Sequence, residues 1–196
     1  MTERGRSADP RAERVHTRLR EAAFALAHEY PVEAITVGDL VARAGVSRQV
    51  FYRHFRDRDD AVAQAFSHAF GTIAQVEHDD ARARIQDLFG FAARHERLCR
   101  HVASSTVHQH VLAAYRDALL TPCRQISEQG MTVLDIVSDV PAESVTRFLV
   151  GGLMEVLRSW MEDDHVTDLR ARVSAALDTV DALLGISSPT KGSTHG

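Results

Sequence analysis

An all-α protein is predicted, on three observations. Apolar residues recur at three- and four-residue spacing along most of the chain, with no run of two-residue alternation. Only 5 prolines and 11 glycines interrupt 196 residues, and alanine, leucine and arginine, all good helix formers, dominate. At 44% hydrophobic and 26% charged, the chain has the apolar surface for a core and the charge to stay in solution.

Each element follows from local signals. Residues 1–10 contain Gly, Ser, Asp and Pro and are expected to be a flexible arm. A helix then begins, with Val15, Leu19, Ala22, Ala23, Leu26 and Tyr30 on one face. Pro31 ends it, because proline offers no N–H and clashes with the preceding turn. Thr36 stands before Val37–Ala44 with Asp39 three residues on, a capping box with Asp in place of Glu. Gly45 stops this short helix, since glycine readily takes the left-handed conformation. Ser47 caps the next one, predicted over Arg48–Phe55. Asp57, Asp59 and Asp60 favour the start of a longer helix, with Val62, Ala65, Phe66, Ala69, Ile73 and Val76 on its apolar face. Further helices are expected at about 80–95, 96–104, 107–129, 141–162 and 166–185. Gly130 and the turn Ser138-Asp139-Val140-Pro141 separate two of them, and residues 186–196 form a polar tail.

Charge distribution distinguishes the two ends. The formal net charge is −4. Residues 1–60 carry 11 Arg and 10 acids, and the remainder carries 12 bases and 17 acids. The N-terminal end is therefore the one that tolerates phosphate, and the rest repels it. The arginines of the arm, Arg4, Arg6, Arg11 and Arg14, are read as solvated rather than inserted into a minor groove. The start of the chain has no signal-peptide core and no apolar run spans a bilayer, so a cytoplasmic protein is expected. Cys99 and Cys123 form no CxxC pattern and are read as free thiols.

The informative segment is Thr36–Phe55, TVGDLVARAGVSRQVFYRHF. Two short helices joined at Gly45 make a helix-turn-helix, with Ala42, Val46 and Phe51 placed to pack them together. The outer face of the second helix carries Arg48, Gln49, Tyr52 and Arg53. Arginine can read guanine O6 and N7, and glutamine adenine N6 and N7. Tyr52, His54 and the Thr36 hydroxyl suit phosphate, which sets register, and Ser47 caps the helix end near the duplex.

The block Leu19–Ala61 resembles the DNA-binding domain of TetR-family regulators. Gly45-Val46-Ser47, three variable residues, Phe51 and then Tyr52-Arg53-His54-Phe55 carry the likeness, with Ile35-Thr36-Val37, Asp39-Leu40 and Arg58. The resemblance implies that Thr36, Tyr52, His54 and Arg58 hold the DNA backbone, and that Arg48, Gln49 and Val50 face bases. It also implies a C-terminal helical domain for ligand binding and dimerisation. Two departures stand out: Pro31-Val32 replaces the usual glycine and aromatic, and Gly38 replaces an arginine often found on DNA. The expected organisation is an arm at 1–10, a three-helix helix-turn-helix DNA-binding domain at 11–58, a helical ligand-binding and dimerisation domain at 59–185, and a tail at 186–196.

Within the C-terminal domain, Phe66, Phe70, Phe89, Leu98, His101, Tyr115, Phe148 and Trp160 are candidates for a ligand pocket. Val150, Gly151, Leu153 and Leu157, with Leu169, Val173, Leu177 and Val180, are the candidate dimer face, because two glycines in one helix and a wide apolar stripe in the last both ask for a close partner. His95 and Cys99 at i, i+4 raise a metal or redox sensor as an alternative, but no tight ligand pair accompanies them, and no metal or cofactor is expected. No G-x-S-x-G, H-E-x-x-H, P-loop or G-x-G-x-x-G is present, so an enzyme has no motif to support it. The expectation is a ligand-responsive regulator, a repressor, that binds a palindromic double-stranded operator as a homodimer and is released by a small-molecule effector; an activator is the other possibility.

Overall fold

The structure is a computed structural model that describes residues 10–76, 78–137, 140–163 and 168–185. The expected arm before Pro10, the tail at 186–196 and Ser138-Asp139 of the expected turn lie outside the described residues. All regular elements among the described residues are helical. They are α1 (Pro10–Glu29), a 3-10 turn (Val32–Ala34), α2 (Val37–Ala44), α3 (Arg48–Phe51), α4 (Arg58–Ala74), α5 (Ala81–Arg94), α6 (Glu96–Ala103), α7 (Val107–Val137), α8 (Ala142–Glu162) and α9 (Leu169–Leu184). The chain forms two compact units. One contains the described residues up to Gly71 with His95–Val111, and the other Thr72–Arg94 with the described residues from Leu112 onward. No helix among the described residues is long and apolar enough to cross a membrane.

In the first unit, α1 buries Leu19, Ala22, Ala23, Leu26 and Ala27, the stripe its periodicity predicts. Tyr30, placed on that stripe by spacing, is 51% exposed, because α1 ends at Glu29 and Pro31 redirects the chain. α2 begins with the expected capping box: Asp39 N–H donates to Thr36 Oγ1 (3.2 Å) and Thr36 N–H donates to Asp39 Oδ2 (2.9 Å). It ends at Gly45, whose φ of 62° lies in the left-handed region. Arg18 of α1 donates to the Ala44 carbonyl there, one of the acceptors a helix end leaves unpaired.

α3 is shorter than its predicted span of Arg48–Phe55. After Phe51 the chain tightens: Arg53 and His54 donate to carbonyls three residues back, at Val50 (3.2 Å) and Phe51 (2.9 Å). Phe51 and Phe55, 0% and 2% exposed, anchor the two ends of this segment. Ala42 is exposed; Leu40 and Ala44 supply the buried face of α2 instead. Phe51→Ala should remove about 3–5 kcal/mol, since the void cannot fully close. Urea unfolding followed by circular dichroism checks this.

In the second unit, α5, α7, α8 and α9 pool their apolar faces around Phe89, Tyr115, Leu119, Leu157 and Trp160, each 1% exposed or less. Arg82 of α5 binds both Asp178 and Asp181 of α9. The buried hydroxyls of Thr146 in α8 and Ser127 in α7 lie 2.8 Å apart; one donates to the other, whose own proton goes to a carbonyl of its helix, so neither is left unpaired. α7 does not stop near residue 129; it runs through Gly130 to Val137 and carries Pro122 inside it. A methyl group on Gly130 would lie 3.0 Å from Leu184 Cβ. The glycine therefore marks a close approach of α9, not a helix end.

Candidate nucleic-acid interface

The reading face is built on a small apolar base. Phe51 and Phe55 point inward, and His16 of α1 stacks on Phe55 with ring centroids 5.0 Å apart. Burying these two rings turns Arg48, Gln49, Tyr52 and Arg53 outward. All four are exposed, Tyr52 by 59%. No carboxylate pairs with Arg48 or Arg53 among the described residues. Unpaired guanidinium groups beside a protruding phenol form a surface suited to base edges and phosphates. Ser47 caps α3 by accepting from Val50 N–H at 3.3 Å. Val50 itself is half-buried, which leaves part of its side chain outside.

Two of the expected contacts, Thr36 and Arg58, take partners within the chain, and a third, His54, is partly enclosed. The Thr36 hydroxyl donates its one proton to Asp39 Oδ2 at 2.6 Å, which closes the capping box rather than presenting a free donor. Thr36 also holds the Asp39 carboxyl below the usual carboxylate range, first through that side-chain bond and then through its backbone N–H. Arg58 is turned inward: it donates to the carbonyls of Glu33 (2.9 Å) and Ile35 (3.1 Å) and to Asp59 (2.7 Å). Through Nε and Nη1 it ties the start of α4 to the 3-10 turn. His54 is half-buried. Burial, then the neighbouring His16 and Arg53, lowers its pKa from the ordinary value, so at neutral pH the ring is uncharged and offers a hydrogen bond rather than a cation.

Gly38 has a consequence that spacing alone did not reveal. A methyl group there would lie 3.3 Å from Arg48 Nη2 and 3.2 Å from Thr36 Oγ1. The bare backbone lets the Arg48 guanidinium lie against α2. Beneath the face, Asp59 is opposed by burial but is held below the usual range by hydrogen bonds from Thr106 and Arg58. Arg43 and Glu29 form a two-pronged pair at 2.6 and 2.8 Å between α2 and α1.

The residues expected to line a ligand pocket divide between the two units. Phe66, Phe70 and Leu98 are buried in the first, with His101 half-buried and its Nδ1 on the Ala27 carbonyl (2.8 Å). Phe89, Tyr115 and Trp160 are buried in the second, and the Tyr115 hydroxyl donates to the Leu88 carbonyl (3.1 Å). Phe148 is 73% exposed, so it is no part of an interior lining. The expected dimer face also needs correction. Val150, Leu153, Leu157, Leu169, Val173 and Leu177 are all 6% exposed or less within the single chain, where they form the core of the second unit. Gly151 is exposed and Val180 partly so. The free side of α8 carries Ser144, Phe148, Gly151, Gly152 and Glu155, and that of α9 carries Ala175, Thr179, Ala182 and Leu183.

The residues that raised the metal and redox alternative, His95 and Cys99, lie at the start of α6 and within it. Cys99 is fully buried, and burial pushes its thiol up to about 12; burial does the same to Cys123. His95 faces His28, Nδ1 to Nε2, at 3.0 Å. No group of three or more His, Cys, Asp or Glu is placed to hold a metal among the described residues.

Residues 19–65 match the family model of the bacterial regulatory proteins of the tetR family. No curated protein matches the chain in sequence. Among solved structures, the chain is similar to a TetR transcriptional regulator from Streptococcus agalactiae, at 14% identity, TM-score 0.62, covering 87% of this chain and 95% of that one. It is similar to the dihydroxyacetone kinase operon activator DhaS, at 14% identity and TM-score 0.64, covering 89% and 98%. It is also similar to the regulator FadR from Bacillus subtilis, solved with stearoyl-CoA, at 17% identity and TM-score 0.61, covering 84% and 96%. At these identities the likeness is one of fold.

Proposed function

We propose, from the premise that this chain is a TetR-type DNA-binding transcriptional regulator by its N-terminal domain and its helical fold, that it acts as a homodimeric repressor on a palindromic operator and lets go when a small molecule binds. The observation that carries the DNA reading is the exposed, unpaired set Arg48, Gln49, Tyr52 and Arg53, held outward by the buried Phe51 and Phe55. Dimerisation is supported by the free side of α8, where Phe148 protrudes beside two glycines that leave open space around them. Two such chains would present two reading faces to one side of a duplex, as a twofold-symmetric site requires. A repressor needs only to occupy the promoter. Release needs a ligand that binds the free form more tightly than the DNA-bound form.

Selection from random double-stranded DNA with the purified full chain tests this. The expected product is an inverted repeat whose half-site centres lie about 10 base pairs, or a multiple of that, apart. Enrichment of single, unrepeated sites would overturn the dimeric reading, and no enrichment at fixed moderate salt would overturn sequence-specific binding altogether.

A further inference from the structure

Within the second unit, two arginines from different helices converge where a side chain is missing. Gly90 lies buried in α5. A methyl group on it would lie 3.4 Å from Arg94 Nη1 and 3.5 Å from Arg170 Nη2. The two guanidinium groups are thus no more than about 7 Å apart, the sum of those distances, close enough to repel each other. Neither has a hydrogen-bonding or ion-pair partner among the described residues. Four other arginines of the unit are paired with carboxylates: Arg82 with Asp178 and Asp181, Arg147 with Glu143, Arg158 with Glu155 and Glu162, and Arg172 with Asp163.

Neither of the carboxylates nearby forms an ion pair with these two guanidinium groups. Asp87 faces His78 at 3.0 Å, and Asp168 accepts from the Arg170 backbone N–H at 2.9 Å to cap α9. Arg170 also stands in the first turn of α9, the end of a helix at which a cation is disfavoured. Beside the pair is a cleft of about 350 Å³ between α5 and α9, lined by Gln86, Asp87, Phe89, Arg170, Val173 and Ser174. It thus offers amide and hydroxyl groups, the Asp87 carboxylate and one of the two cations, over a closed floor of Phe89 and Val173. Its size falls in the range of small-ligand sites.

We propose that a small organic oxyanion, a carboxylate or a phosphate monoester, binds at the α5–α9 cleft, with its charged head between Arg94 and Arg170 and the rest of the molecule in the cleft beside them. Charge-assisted hydrogen bonds from two forked guanidinium groups hold the head, and Gly90 leaves the room between them. The proposal does not rest on the DNA-binding reading.

Calorimetric titration of the full chain with hexanoate and with hexyl phosphate tests the proposal. Saturable binding of at least one is expected, and the tighter of the two identifies the head group. Arg94→Gln and Arg170→Gln should each weaken it by roughly tenfold or more, as loss of a charged hydrogen bond does. Arg147→Gln, an exposed arginine of the same unit on α8, should leave it unchanged, and circular dichroism should show all three variants folded. The proposal is overturned if neither probe saturates, if both cleft variants bind like the parent, or if the α8 variant weakens binding equally.

Discussion

Arg48→Ala is expected to weaken binding to the selected operator by about 1–3 kcal/mol per half-site, roughly 5- to 150-fold, and to relax the base preference at one position of each half. The reasoning is geometric. Arg48 is exposed, has no carboxylate partner and is steadied against the bare backbone of Gly38. A side chain held in place loses little freedom when it meets a guanine edge, so most of its contact energy reaches the DNA. Fluorescence anisotropy at fixed ionic strength measures the loss, and a panel of single-base operator variants measures the preference. Two signatures separate a base contact from a phosphate contact. Loss of a phosphate contact weakens all sequences alike and lowers the salt dependence by about one unit. Parent-like affinity with unchanged base preference would remove Arg48 from the reading face. Because Arg48 is exposed and unpaired, its loss should leave thermal stability within about 0.5 kcal/mol of the parent.

If the chain pairs as proposed, Phe148→Asp should leave it monomeric at micromolar concentration. Phe148 is 73% exposed in the single chain, a large apolar ring with nothing over it. Covering such a ring is worth about 1.5–3 kcal/mol. A twofold interface counts it twice, and the variant also places a charge on each side of a desolvated patch. A rise in the dimer dissociation constant of at least about 100-fold is therefore expected, read by sedimentation velocity. Leu183→Asp on α9, 69% exposed, should act in the same direction. By contrast, Leu157→Ala should lower stability by about 2–5 kcal/mol without this selective effect on assembly, because Leu157 is 0% exposed inside the second unit. Unchanged sedimentation in both Asp variants would place the interface elsewhere or show that the chain is a monomer.

The outcome for these residues follows from how far each signal travels. The capping box of Thr36 and Asp39, the left-handed Gly45 and the Ser47 cap were legible because their partners lie within four residues. The exposure of Gln49 and Arg53 was legible too, since helical spacing sets them well away from Phe51 and Phe55, but Arg48 stands three and seven residues before those rings, on the same helical face, so only packing decides its exposure. The structural ties of Arg58 were not legible because the carbonyls it binds lie 25 and 23 residues away. Gly130 was misread for a similar reason: its role depends on Leu184, which sequence does not place beside it. Gly38 and Gly90 carried no readable message, since what a glycine makes room for is visible only from the neighbour that takes the room.

The amino-acid order alone determined the helical class, the turn-bounded head between Thr36 and Phe55 and its outward polar face, because these rest on backbone hydrogen bonding and periodicity over a few residues. Tertiary packing decided which apolar stripe of α8 and α9 became core and which stayed free, and it brought Arg94 and Arg170 together over Gly90. Periodicity shows that a helix has an apolar side but not what that side meets, and contacts between distant segments form only when the whole chain has closed around its core.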